Sequence, residues 1–377
     1  MLNGKYKVYK NGQLVSESNN AVTEFGKDSI VKYLANSIPA WADAIAVGAG
    51  PVMPVASTTS TALIGATTIT VASGTGIAAG QIISGTGIAN GTKVGAGYVS
   101  GTSVPITIAL TSAHSATAVS FYTAPISSNS KLDFEFSRGS VSLKSPKING
   151  SARSIVIKAS LEPGIAGVIR EIGAYTSLGS VVDKGYDGRI ITMFDEGQSA
   201  SDLLKWSVGS STTANNLIGN ANLILNNATT YLGAISDPTY PGAINLDLSG
   251  YTAGDTLNIL YTALAAGTSQ TLNITLYDNQ NTPGTLTWSN TISPALNTKY
   301  ILSTLLGAMT SSGNFNYNVS AIKIVTTANL SLDAMRIDDT DTLDTTFGLV
   351  SRTVLNSSIT KSTGDSIDIE YEITLGL

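Results

Sequence analysis

At 377 residues the chain exceeds the size at which a single hydrophobic core stops growing, so two or three domains are expected. Apolar residues make up 42% of it and charged residues only 12%, about half the usual globular share; Gly, Ser, Thr and Asn fill the gap and favour turns and short strands over salt-bridged helices. The net charge of -5 excludes a phosphate-backbone binder, which needs clustered Lys and Arg, and the lack of cysteine excludes disulfides, thiolate metal sites and cysteine nucleophiles.

In chain order, residues 5–9 and 13–17 read as two strands around Asn11-Gly12, a pair that tolerates positive φ and marks a hairpin. Phe25, Ile30, Val31 and Leu34 then fall close to helical spacing, with Pro39 as a stop, and predict one short helix. A small-residue strand follows at 44–50. From 51 to about 122 the composition shifts to Thr, Ser, Ala, Gly, Val and Ile, with Lys93 the only charged side chain. Within this stretch Gly74-Thr75-Gly76-Ile77-Ala78-Ala79-Gly80 recurs as Gly85-Thr86-Gly87-Ile88-Ala89-Asn90-Gly91, which predicts Gly-rich turns in a small β-barrel or sandwich.

Charge and longer strands return over 130–197, where Leu132-Asp133-Phe134-Glu135-Phe136 alternates strictly, one face buried and the other wet. Strands are also expected at 154–159, 167–175 and 189–194. Residues 201–341 form a second Ser/Thr/Asn-rich block whose alternating strands suit a jelly roll. The closing Ile367-Asp368-Ile369-Glu370-Tyr371-Glu372-Ile373-Thr374-Leu375 places five apolar residues on one face and needs a partner sheet. The expected fold is mainly β. An anchor sandwich of residues 1–50, 125–198 and 345–377 is interrupted by a small module at 51–124 and a jelly-roll domain at 199–344.

The mean hydropathy of +0.18 does not imply a membrane span, because polar residues interrupt every apolar stretch well short of about 20 residues. Residues 1–6 lack the apolar core of a secretion signal, so a soluble chain assembled in the cytoplasm is expected.

Little of the sequence carries chemistry. His114, the sole histidine, is the only imidazole a Ser-His-Asp triad could use, and it reads as a loop residue. One histidine without cysteine does not build a usual zinc site. The glycine repeats lack the helix a dinucleotide loop requires and read as turns. Of the carboxylate groups that glycoside hydrolysis would need, Asp133 with Glu135 and Asp368 with Glu370 and Glu372 alternate with apolar residues like a wet strand face, and Asp195 with Glu196 is the remaining pair. Asp338, Asp339 and Asp341 are candidate calcium ligands, against the plainer reading of an acidic linker; no other cofactor is expected. Trp206, Tyr231, Tyr240, Tyr251, Tyr277, Trp288 and Tyr317 cluster in the second insert. Of these, Trp206, Tyr251 and Trp288 are the candidate glycan contacts, although several of the seven must be core.

Three motifs resemble a pattern in structural proteins of tailed phages: Asp43-Ala44-Ile45-Ala46-Val47-Gly48-Ala49-Gly50 after a helix, Gly167-Val168-Ile169-Arg170-Glu171-Ile172-Gly173-Ala174-Tyr175, and the closing strand. The first insert is similar to modules of phage decoration and fibre proteins. The second, with Leu246-Asp247-Leu248-Ser249-Gly250-Tyr251 and Leu332-Asp333-Ala334-Met335-Arg336-Ile337, resembles galactose-binding-like or carbohydrate-binding jelly rolls, which implies a carbohydrate-binding-like domain at 199–344. The resemblance implies a non-enzymatic virion protein, a capsid decoration or head-fibre component with a major capsid or tail protein as partner, self-associated as a homo-oligomer, with no nucleic acid and no membrane partner. The alternative is a tail-fibre or baseplate adhesin that binds host surface glycan; a depolymerase is a third reading.

Overall fold

A computed structural model describes residues 2–149, 152–161, 164–177, 188–196, 202–234, 243–340 and 347–375. The fold is mainly β, with one α-helix among these residues. The chain divides into two compact units: a terminal unit, Met1–Ser180 with Asp344–Leu377, and a middle unit, Val181–Leu343. No helix among the described residues is long and apolar enough to cross a membrane.

The terminal unit contains a nine-stranded antiparallel sheet in the order Gln13–Asn19, Leu2–Lys10, Ile367–Leu375, Ala152–Ser160, Glu135–Asn149, Ala44–Gly48, Gly167–Ser177, Phe347–Lys361, Ala21–Val22. The first two strands form a hairpin whose turn residues, Asn11 at φ 51° and Gly12 at φ 79°, both take the left-handed conformation that a two-residue turn requires. Strand Ile367–Leu375 lies between the N-terminal strand and Ala152–Ser160, with Tyr6 opposite Tyr371 and Ile157 opposite Tyr371 on its other side. Ile367, Ile369, Tyr371 and Ile373 are all buried. Tyr6 and Tyr371 stack at 4.6 Å, and the Tyr6 hydroxyl lies 2.6 Å from Ser351 Oγ. Ser18 Oγ lies 2.8 Å from Thr353 Oγ1. Ser351 and Thr353 sit near the opposite end of the strand order, so the sheet curls back and brings its two ends into side-chain contact.

A buried ion pair marks the point where the inserted module leaves and rejoins this sheet. Glu171 is fully buried and accepts Arg352 Nη2 at 2.7 Å, with the backbone N–H groups of Phe134 at 2.9 Å and Asp133 at 3.0 Å. Arg352 also reaches Asp133 at 2.8 Å. Gly48 and Gly50 have to be glycine here: a Cβ on Gly48 would lie 2.4 Å from Glu171 Oε1, and one on Gly50 would lie 2.4 Å from Asp133 Cβ. Burial pushes the Glu171 carboxyl up to about 7, opposed by the Arg352 guanidinium. Glu135, expected on a wet face, is buried instead and held by Arg138 at 2.6 Å and 2.7 Å in a two-point pair.

The helix, Glu24–Leu34, starts where Thr23 caps it through Gly26 N at 2.9 Å. Of the four expected apolar positions Phe25 and Ile30 are half-buried, whereas Val31 and Leu34 are 66% and 78% exposed. Gly26 and Ser29 face the core, because a Cβ at Gly26 would lie 2.1 Å from the Val350 carbonyl oxygen and only glycine permits that approach.

Residues 56–122 form a five-stranded sheet in the order Ile82–Gly85, His114–Tyr122, Ala56–Ala62, Thr68–Val71, Ser103–Pro105. The sequence repeat is also a repeat of backbone: Gly76 and Gly87 at φ 79° and 74°, Gly80 and Gly91 at φ 80° and 83°, with Ile77 and Ile88 both buried. The second copy docks on Asn356, which accepts Gly91 N at 2.6 Å and donates to the carbonyls of Ile83 and Thr92 at 2.6 Å and 2.7 Å.

The middle unit is a sandwich of two antiparallel sheets. One runs Ser210–Thr212, Asn222–Asn226, Asn329–Asp338, Thr256–Ala263, Lys299–Leu305; the other runs Thr229–Leu232, Asn318–Thr326, Gln270–Asp278, Thr285–Ile292, Thr310–Ser312. One apolar core, including Leu257, Ile259, Ile274, Trp288 and Ile324, joins them. The strand expected at 189–194 in the anchor is a correction: Gly188–Thr192 pairs with Asn329–Asp338 of the middle unit, beside the half of that strand which Asn222–Asn226 leaves uncovered.

Because the folded Glu171 carboxyl titrates above its ordinary value of 4.5, its contribution to stability is fully present below that value and is lost as pH rises through about 7. Arg352→Met removes the guanidinium facing that charge and is expected to cost about 3–5 kcal/mol at pH 7.5 and visibly less at pH 5, as read from denaturant unfolding at the two pH values.

Candidate functional site

Alternation along each strand of the middle unit decides which side chains meet the core and which stand outside it. On Gln270–Asp278, Leu272, Ile274 and Leu276 are buried in the core, while Asn273, Thr275 and Tyr277 take the other face and are half-buried. Tyr231 is placed likewise between buried Thr230 and Leu232, and Lys323 between buried Ile322 and Ile324. The register carries these positions across the sheet in rows. Tyr231, Lys323, Thr275, Thr287 and Thr310 form one, and Ala321, Tyr277, Thr285 and Ser312 form the next. Thr275 and Thr287 hydroxyls lie 3.1 Å apart, and Lys323 Nζ lies 5.5 Å from the centre of the Tyr231 ring. Two half-buried phenol rings and several threonine hydroxyls therefore share the face turned away from the core, around a fully buried Ala321.

The tryptophans singled out as glycan contacts are not on that face, which corrects the expectation. Trp206 is fully buried, 5.1 Å from Phe194, with its Nε1 donating to Glu196 Oε2 at 3.0 Å. Trp288 is 7% exposed within the core. Each is the largest apolar group available at its position, and a small sandwich spends such groups on its interior. Tyr251 is half-buried against the same core; Tyr240 lies outside the described residues.

The calcium candidates divide in the same way. Asp338 is buried, paired with Arg336, and accepts Asn258 Nδ2 at 2.9 Å, so its charge already has a cation beside it. Asp339 is buried, and Asp341 lies outside the described residues. Among the described residues no three acidic or histidine side chains come together as a metal cluster. A carboxylate that sequence reading did not single out, Asp333, is 1% exposed and accepts the N–H groups of Leu217 at 2.7 Å and Ile218 at 2.9 Å, and burial pushes its carboxyl up to about 7.

His114 is a buried staple of the small module rather than a loop residue. Its Nε2 lies 2.8 Å from the Thr86 carbonyl, to which only an N–H can donate, so in the neutral ring Nδ1 accepts from Ser60 Oγ at 2.7 Å. The carboxylate groups weighed for glycosidic chemistry are engaged in structure: Asp133 and Glu135 by Arg352 and Arg138, Glu370 by Lys7 and Lys158, Glu372 by Lys147. Glu196 accepts Thr192 and Trp206, and Asp195 accepts Asn220 N at 3.3 Å.

No family model matches the chain, and no curated protein matches it. Among solved structures it is similar to a family 11 carbohydrate-binding module from Clostridium thermocellum in complex with a β-1,3-1,4-mixed-linked tetrasaccharide, at 10% identity and a TM-score of 0.25, covering 43% of this chain and 95% of that one. A family 30 carbohydrate-binding module matches at 15% identity and a TM-score of 0.24, covering 39% and 83%. A carbohydrate-binding module from Clostridium stercorarium in complex with cellobiose matches at 14% identity and a TM-score of 0.18, covering 43% and 91%. At these values the likeness assigns the chain neither a family nor a ligand.

Trp206→Ala and Trp288→Ala are expected to destabilise the middle unit by about 3–5 kcal/mol each. Circular dichroism melts check this: both variants should lose cooperative structure at lower temperature, whereas a surface contact would leave the melt unchanged.

Proposed function

We propose that the protein is a non-enzymatic surface component whose middle unit binds glycan through the open face bearing Tyr231 and Tyr277. The observation that carries this reading is the pairing of those two half-buried phenol rings with neighbouring rows of threonine hydroxyls on a face pointing away from the core. A pyranose presents apolar C–H groups on one side and hydroxyls around its edge. Rings take the first by stacking and the sheet hydroxyls take the second, at little conformational cost because strand residues are already ordered.

The wider reading places the protein on the exterior of a tailed-phage particle. The curled nine-stranded sheet would serve as the anchor, with the major capsid or tail protein and further copies of the chain as partners. Its support is the sequence resemblance, carried by residues 43–50, 167–175 and 367–375, all of which fall in that one sheet or next to it. Copy number per purified particle tests it, since hundreds of copies fit a decoration protein, a dozen or fewer a tail adhesin, and none contradicts both.

Saturable binding of the full chain to host surface polysaccharide, followed by calorimetry, tests the glycan face directly. Tyr277→Ala and Tyr231→Ala are each expected to weaken binding by about tenfold or more, about 1.4 kcal/mol, with an unchanged melting curve. Binding that both variants retain in full would reject the face as the site.

A further inference from the structure

The curled sheet of the terminal unit holds a cavity of about 290 Å³ on its outer face. Its wall is assembled from four adjacent strands. Tyr9 of Leu2–Lys10 stands opposite Asp368, which stands opposite Ser160; in the adjacent row Lys7 stands opposite Glu370, which stands opposite Lys158. Ser142 of Glu135–Asn149 closes the far side, and Gly12 of the hairpin turn lies at the near rim. Register breaks occur on both flanks, between Val8 and Tyr9 against the edge strand and between Val141 and Leu143 against Ala152–Ser160. Such bulges bend a sheet locally and re-aim its side chains, and here they bracket the cavity.

Lys158, Asp368 and Glu370 are the charged side chains that line the cavity, and their charges balance once Lys7, which lies outside the lining and pairs with Glu370, is counted. Glu370 bridges Lys7 at 3.3 Å and Lys158 at 3.1 Å, and Asp368 accepts Ser160 Oγ at 2.5 Å. Burial pushes the Glu370 carboxyl up, but the hydrogen bonds from Lys158 and Lys7 outweigh it and hold the group below its ordinary range, so it stays ionised. Lys158 keeps 49% of its side chain exposed, and a carboxylate has more lone-pair directions than these contacts use. The wall therefore offers acceptors and ammonium donors side by side without a net field that would draw in an ion of either sign, while the half-buried Tyr9 ring supplies an apolar flank.

We propose that this cavity is a second ligand site, independent of the face in the middle unit, and that it takes a single neutral pyranose. Hydroxyls at adjacent carbons meet Asp368, Glu370 and Lys158, and the C–H side of the ring lies on Tyr9. The volume is at the low end for small-molecule sites, which limits the ligand to one sugar ring or the end of a chain.

The test uses the full chain carrying Tyr277→Ala, so that loss of the first site and loss of the second are read separately. Saturation-transfer NMR is recorded with methyl pyranosides of gluco, galacto, manno and N-acetylgluco configuration. At least one is expected to receive saturation, with affinity reduced about tenfold or more by Asp368→Asn and by Tyr9→Ala, and retained by Tyr9→Phe. Ser160→Ala, at an exposed position, should reduce affinity by a smaller factor without touching the fold. The proposal is overturned if no pyranoside gives a signal that depends on Tyr9 and Asp368. It is equally overturned if lysine methyl ester displaces the sugar at equal concentration, which would make the cavity a receptor for a cationic side chain.

Discussion

The terminal unit depends on a fully buried carboxylate, Glu171, being held by an arginine that lies 181 residues further along the chain. Taking two charges out of water is unfavourable unless the geometry is good and the spare lone pairs are used. Both conditions are met, because the Phe134 and Asp133 amides fill the remaining positions around Glu171. Those amides belong to the segment that returns from the small module, and Gly48 and Gly50, pressed against the same carboxylate, belong to the segment that enters it. One ion pair thus fixes entry, exit and the Phe347–Lys361 strand at a single point. The module adds its own dock at Asn356, whose side chain uses both its donor and its acceptor on the second glycine turn.

Much of this was legible in the sequence where local chemistry decides local structure. Asn11-Gly12 predicted its hairpin because both residues accept positive φ. The duplicated glycine motif predicted duplicated turns, and the backbone repeats to within a few degrees of φ at both pairs of glycines. The five apolar residues of the closing strand announced that it needed a partner on one face, and four of their side chains are buried. Where packing decides, composition misled. The helix hides Gly26 and Ser29 because close backbone approach to Val350 outweighs the burial of Val31 and Leu34, and no periodicity argument detects a preference for the smallest residue. Residues 189–194 stand beside anchor segments in the sequence, whereas the half of Asn329–Asp338 that Asn222–Asn226 leaves uncovered is where Gly188–Thr192 pairs.

The candidate site follows the same division. Aromatic enrichment of the middle unit was visible, and so was the likelihood of strand alternation, but alternation alone does not say which face is core. Trp206 and Trp288 went inside, where the Trp206 N–H finds an acceptor in Glu196, and Tyr231 and Tyr277 are half-buried on the other face. In the terminal unit the acidic residues of the closing strand read as a wet face and lie on the face away from its buried residues, but lysines cover Glu370 and Glu372 and the bulges on either side bracket a cavity there, and bulges leave no signature in an alternating sequence.

The two ends of the chain meet as neighbouring strands within the nine-stranded sheet, and both insertions leave and return between its strands. Since the protein contains no cysteine, a pair introduced as Lys5→Cys and Glu372→Cys, directly opposite in register, gives a clean readout by mass spectrometry after mild oxidation and proteolysis. The account predicts an intramolecular disulfide joining the first and last peptides in the folded protein and its absence when oxidation is carried out in denaturant. Cross-linking of Glu372→Cys to a partner cysteine placed in the middle unit, with none formed to position 5, would contradict it.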